Sequence, residues 1–209
     1  MKLFVFDLEN TLIYNELLPE LAKLVGRKEE VERITRLGVE GQIDWVEGFR
    51  QRTRYLAGIT RDDVLRSARD LRLVPGALGF VKSLRGKGHG LGFITGGPSE
   101  LAWEAGNLFG ADRTVSNDFI YEDDRFTGEV VVRVTPSTKG TFALRMAEAL
   151  GVEPRDIVAF ADGVMDVGLL EAAGVAVAVN ADGRLRGSVN YEVRDFEEAY
   201  RWLLADGLI

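Results

Sequence analysis

Hydrophobic positions along this chain follow two periods. Compact runs of β-branched and aromatic residues, Leu3-Phe4-Val5-Phe6, Leu91-Gly92-Phe93-Ile94, Ile157-Val158-Ala159-Phe160 and Val175 to Val179, read as buried strands. Between them apolar residues recur every three to four positions, the period of a helix with one packed face. From Tyr14 to Leu73 the helical period runs alone. Leu17, Leu18, Leu21, Leu24 and Val25 mark one helix, closed by Gly26, with Pro19 in its first turn. Val31, Ile34 and Leu37 mark a second. Trp45, Phe49, Arg52 and Leu56 share or border one face of a third, and Thr60 with Asp63 resembles a capping box opening a fourth. After Pro75-Gly76 strands and helices alternate. The exception is 118–134, where two apolar runs about an acidic turn predict a β-hairpin.

Alternation of strand and helix predicts an α/β fold with a parallel sheet covered on both faces. The helical stretch then reads as an insertion after the first strand. The division is 1–13 and 74–209 for the core and 14–73 for a small helical cap.

Composition narrows the chemistry. A net charge of -7 with no basic block argues against nucleic acid as a partner. Cysteine is absent and histidine occurs once, so a metal here would be held by oxygen, which favours Mg²⁺. No run approaches the roughly 20 apolar residues that cross a bilayer, so no membrane partner is expected. A soluble cytoplasmic protein, monomer or homodimer, is the expectation.

Four points along the chain carry chemistry, each at a strand end or helix start. Asp7 and Glu9 leave the first strand pointing to one side, with Leu8 turned away. Thr95-Gly96-Gly97 joins a strand to a helix and offers a hydroxyl and unhindered N–H groups to an anion. Lys139 opens a helix, where a cation is mildly opposed by the dipole, by about 0.3–1 kcal/mol. Asp162 and Asp166 follow the strand ending in Phe160 and can face one cleft. Singly, each has an ordinary structural explanation. Their joint order is much harder to reach by accident.

In these motifs, Asp7-Leu8-Glu9-Asn10-Thr11, Thr95-Gly96-Gly97, Lys139 and Asp162-Gly163-Val164-Met165-Asp166, the chain resembles the haloacid dehalogenase-like phosphatase superfamily. Within it the insert is most similar to that of the phosphoserine phosphatases. The resemblance implies a Rossmann-like core with a helical cap, Mg²⁺, and a small phosphate ester hydrolysed through an aspartyl-phosphate. It implies Asp7 as nucleophile and Glu9 as acid and base. Thr95, Gly96 and Lys139 would contact phosphate, and Asp7, the Glu9 carbonyl and Asp162 would hold the metal. Asp166 would orient Lys139 or a metal-bound water. In the insert it implies Glu16 facing an amine, Trp45 forming a wall and Arg52 gripping a carboxylate. Three positions depart from the usual pattern: Glu9 replaces Asp, Met165 replaces Asn and Ala161 replaces Gly. A phosphatase or phosphotransferase of the same fold acting on another small phosphorylated metabolite, or a phosphate-binding homologue without turnover, are the alternative readings.

Overall fold

The computed structural model describes residues 1–209 except 182–184 and 186. Strand β1 (Leu3–Phe6) lies at the centre of a seven-stranded sheet and is completely buried. Its alternation sorts the two faces. Phe4 and Phe6 enter an aromatic core, while Leu3 and Val5 enter a second, aliphatic one. On the first face Phe6 stacks on Phe160 at 4.7 Å between ring centroids, with Phe80 and Phe196 close by.

Four helices follow β1: α1 (Leu17–Leu24), α2 (Lys28–Val39), α3 (Trp45–Arg54) and α4 (Arg61–Arg69). Asp44 caps α3 by accepting from the N–H groups of Val46 and Glu47, and Thr60 with Asp63 forms the expected capping box on α4. The core resumes with α5 (Ala77–Gly86), β2 (Gly90–Pro98), α6 (Ser99–Phe109), β3 (Arg113–Glu122) and β4 (Arg125–Val131). It ends with α7 (Lys139–Ala149), β5 (Ile157–Ala161), α8 (Val167–Glu171), β6 (Val175–Val179), β7 (Tyr191–Val193) and α9 (Phe196–Ala205). Strand order is β4-β3-β2-β1-β5-β6-β7, parallel except for the β3–β4 hairpin. This is the expected α/β architecture with a helical insert and hairpin.

Two details differ from the sequence reading. Strand β3 begins at Arg113, and its first half pairs in parallel with β2 before the hairpin starts. Its alternating, half-exposed residues lack the solid apolar run that marks the central strands. Strand β7 is three residues long at the sheet edge, too short for periodicity to register.

Backbone hydrogen bonds tie the insert to the core at its base and along β4. Residues 13–15 and 72–74 run antiparallel, with Ile13 bridging Leu73 and the Tyr14 N–H donating to the Arg72 carbonyl at 2.8 Å. Asn15 clamps both segments, donating to the Asp70 carbonyl and accepting from the Arg72 N–H. The loop between α3 and α4 is laid along β4. The Gly58 N–H donates to the Phe126 carbonyl at 2.7 Å, and the Phe126 N–H to the Ile59 carbonyl at 2.9 Å. The acidic hairpin turn, Asp123-Asp124, has positive φ at both residues, as a tight primed turn requires. Among the described residues no helix is long and apolar enough to cross a membrane.

Candidate active site

The carboxyl ends of β1, β2 and β5 open onto one cavity of about 240 Å³, roofed by the inserted helices. At its floor the Asp7 N–H donates to the Phe160 carbonyl at 3.0 Å, so Asp7 still follows the sheet while its side chain projects past the edge. Asn10 then takes a left-handed conformation (φ 60°) that turns the chain back. Asp162 follows β5 directly, and a single 3₁₀ turn at Val164–Asp166 returns Asp166 to the same floor.

Lys139 crosses from the start of α7 to join them. Its Nζ donates to Asp7 Oδ1 at 2.7 Å and to Asp166 Oδ1. That approach depends on α7 and α8 nearly touching: a Cβ on Gly140 would lie 2.2 Å from the Gly168 carbonyl oxygen. Burial lowers the Lys139 pKa, but Asp166 and Asp7 outweigh it and hold the ammonium charged well above neutrality. The dipole cost anticipated for a cation here is thus offset by two carboxylates.

Asp7, Asp162 and Asp166 offer oxygens all within 4.8 Å of one another. Burial is the largest influence on Asp7 and raises its pKa against the pull of Lys139; burial and then Asp166 raise Asp162. With all three carboxylates ionised against one ammonium, two negative charges would be left uncompensated. A hard divalent cation fits this all-oxygen set in charge and in donor type. The cluster brings in Asp166, expected from the sequence only to orient Lys139 or a metal-bound water; the Glu9 side chain is aimed elsewhere. Its Oε1 accepts from the Leu17 N–H at 2.7 Å at the start of α1, and its Oε2 packs against Gly97. Burial pushes the Glu9 pKa up to about 7, opposed by that N–H.

Thr95 differs from the other expected site residues. It is fully buried and does not line the cavity. Its Oγ1 accepts from the Gly97 N–H at 3.0 Å, so it shapes the loop from beneath. Gly96 does line the cavity, and a Cβ there would meet the Trp45 ring at 3.0 Å. Glu16, Trp45 and Arg52 all reach the cavity from the insert. Trp45 stacks on Phe49 at 5.1 Å, and the Arg52 guanidinium lies over the Phe49 ring, 5.8 Å from its centroid. Glu16 is exposed, and its Oε1 accepts from Asn10 Nδ2 at 2.9 Å.

Asn117 escaped the sequence reading. Fully buried on β3, it donates to the Gly96 and Val134 carbonyls and accepts from the Arg133 and Val134 N–H groups. It therefore binds the Gly96 loop to the segment leading to Lys139. A polar residue at an inward position of the run Val115-Ser116-Asn117-Asp118-Phe119 was the available signal.

A family model for haloacid dehalogenase-like hydrolases matches residues 1–174. The chain belongs to this family. Among its relatives, the phosphoserine phosphatase of Methanocaldococcus jannaschii is 28% identical over 205 residues, covering 97% of both chains. That of Archaeoglobus fulgidus is 31% identical over 196 residues; the match covers 91% of this chain and 57% of that longer one. A solved phosphoserine phosphatase, captured as an analogue of its phospho-aspartyl intermediate, superposes with a TM-score of 0.89 at 27% identity. The match covers 96% of this hydrolase and 98% of the solved chain.

Proposed function

We propose that this hydrolase is a Mg²⁺-dependent phosphoserine phosphatase, converting O-phospho-L-serine and water into serine and phosphate. The observation that carries the reading is the pairing of two unlike surfaces across one cavity. The floor is a Lys-carboxylate cluster suited to phosphoryl transfer. The roof presents a guanidinium and a carboxylate, complementary to the carboxylate and ammonium of an amino acid.

On this reading Asp7 attacks phosphorus, forming a P–O bond to its carboxylate as the bond from phosphorus to the serine oxygen breaks. Glu9 delivers a proton to the departing oxygen. In the second displacement it removes one from the water that cleaves the aspartyl-phosphate, returning Asp7. A pKa near 7 suits a group that must both give and take a proton at neutral pH. Lys139 holds Asp7 in place and neutralises phosphoryl oxygens, aided by the Gly96 N–H, whose loop Thr95 braces through the Gly97 N–H. Asp7, Asp162 and Asp166 would hold Mg²⁺, with the Glu9 carbonyl a further candidate. The ion supplies charge neutralisation for the phosphoryl group. Met165 lines the same cavity, and its thioether offers no hydrogen-bond donor. The cytoplasm, with a monomer or homodimer as the working form, is the setting this reading implies.

Phosphate release from O-phospho-L-serine, with and without Mg²⁺, tests the proposal beside O-phosphoethanolamine and p-nitrophenyl phosphate. Mg²⁺-dependent preference for phosphoserine is expected. Equal rates on all esters would retain the floor chemistry and discard the amino-acid reading.

A further inference from the structure

Arg52 is half-buried, and among the described residues no carboxylate forms an ion pair with it. Its orientation is set instead by two neutral acceptors. Nε donates to the Gly48 carbonyl one turn back in α3, at 3.3 Å, and Nη1 donates to Thr35 Oγ1 across the roof in α2, at 3.1 Å. The Thr35 hydroxyl proton is itself committed, to the Val31 carbonyl at 3.0 Å. Its lone pairs are therefore turned to the guanidinium, and Thr35 acts towards Arg52 purely as an acceptor. Guanidinium carries five N–H donors in a rigid plane. Two are used in these contacts and the Phe49 ring supports the plane, leaving the other three for a ligand.

We infer that Thr35 is a specificity-determining positioning residue: it fixes the Arg52 fork so that its free edge meets a substrate carboxylate. This rests on the phosphoserine reading above. Thr35 belongs to the face of α2 that lines the cavity with Ile34, Gly38 and Val39, so its contact links α2 to the group that reads the substrate. Without the acceptor, Nη1 loses a partner in a half-buried site and the side chain is free to rotate about its remaining Gly48 contact. The consequence falls on carboxylate binding and leaves the phosphoryl chemistry alone.

Thr35→Val keeps the side-chain shape and removes the acceptor, whereas Thr35→Ser keeps the acceptor and removes the methyl. Steady-state kinetics are measured on O-phospho-L-serine and on O-phosphoethanolamine, which retains phosphate and amine but lacks the carboxylate. Thr35→Val is expected to raise KM for phosphoserine about 10-fold with kcat within about twofold, and to leave phosphoethanolamine kinetics unchanged. Thr35→Ser is expected to restore KM to within about threefold of the parent. Thr35→Ala gives the same split should the valine variant not fold. Equal losses on both substrates, or a serine variant as impaired as the valine one, would overturn the inference. A parent enzyme indifferent to the carboxylate would instead remove the phosphoserine reading and this inference with it.

Discussion

The floor and the roof of the cavity are built on opposite principles. On the floor, Asp7, Lys139 and Asp166 are buried and engage one another directly. On the roof, Glu16 is exposed and Arg52 half-buried, each held by a neutral neighbour with hydrogen-bonding capacity left over. Groups that satisfy one another before a ligand arrives form a preorganised site, which favours the chemical step. Groups with spare capacity add affinity only for ligands that can use it, which favours discrimination. On the proposed reading catalysis and recognition are thus separated, with the boundary at the join between core and insert.

The strongest way to break that division is at Asp7, the proposed nucleophile. Asp7→Asn is expected to lower turnover by on the order of 10⁴-fold or more on every ester while the protein still folds, checked by kinetics beside circular dichroism. Lys139→Ala should cost about 10²–10³-fold in kcat on all substrates alike. It also leaves buried carboxylates uncompensated, so a loss of about 3–5 kcal/mol in denaturant unfolding is expected. Arg52→Ala acts on the roof alone. It should raise KM for phosphoserine about 10- to 100-fold and leave p-nitrophenyl phosphate nearly unchanged.

Two smaller effects sharpen the comparison. Gly140→Ala forces α7 away from α8 and should destabilise the fold by about 1–3 kcal/mol, with a fall in kcat as Lys139 shifts. The second concerns protons. Burial raises the pKa of Asp7 and Asp162 above the ordinary carboxylate value, so protons are retained on the metal-free floor towards neutrality. Mg²⁺ must displace those protons. Its binding should therefore weaken as pH falls from 8 to 6, with proton release on titration, measurable by calorimetry in two buffers of different ionisation enthalpy.

Much of this arrangement was legible in the chain. Apolar runs announced β1, β2, β5 and β6, and the residues just after two of these strands, Asp7 and Asp162, marked the floor. The periodicity of the insert placed Trp45, Phe49 and Arg52 together, and they do meet. What escaped was contact across elements. Glu9 reaching the start of α1, Asn117 joining two loops and Thr35 holding Arg52 each pair residues distant in sequence, where no local period exists to report them. Thr95 was legible as a polar strand end, but its depth was not. A hydroxyl beneath a loop and one facing a cavity have the same sequence signature. The edge strand β7 and the first half of β3 were lost because half-exposed strands carry mixed composition.

The central claim, that the floor performs chemistry common to all esters while the roof reads the amino acid, is tested most directly by one comparison. It is kcat/KM on O-phospho-L-serine and O-phosphoethanolamine for the parent and for Arg52→Ala, at saturating Mg²⁺. The account predicts a loss of about 10- to 100-fold on phosphoserine and under about threefold on phosphoethanolamine. Equal losses on the two would contradict it, making Arg52 a structural part of the site with no role in reading a carboxylate.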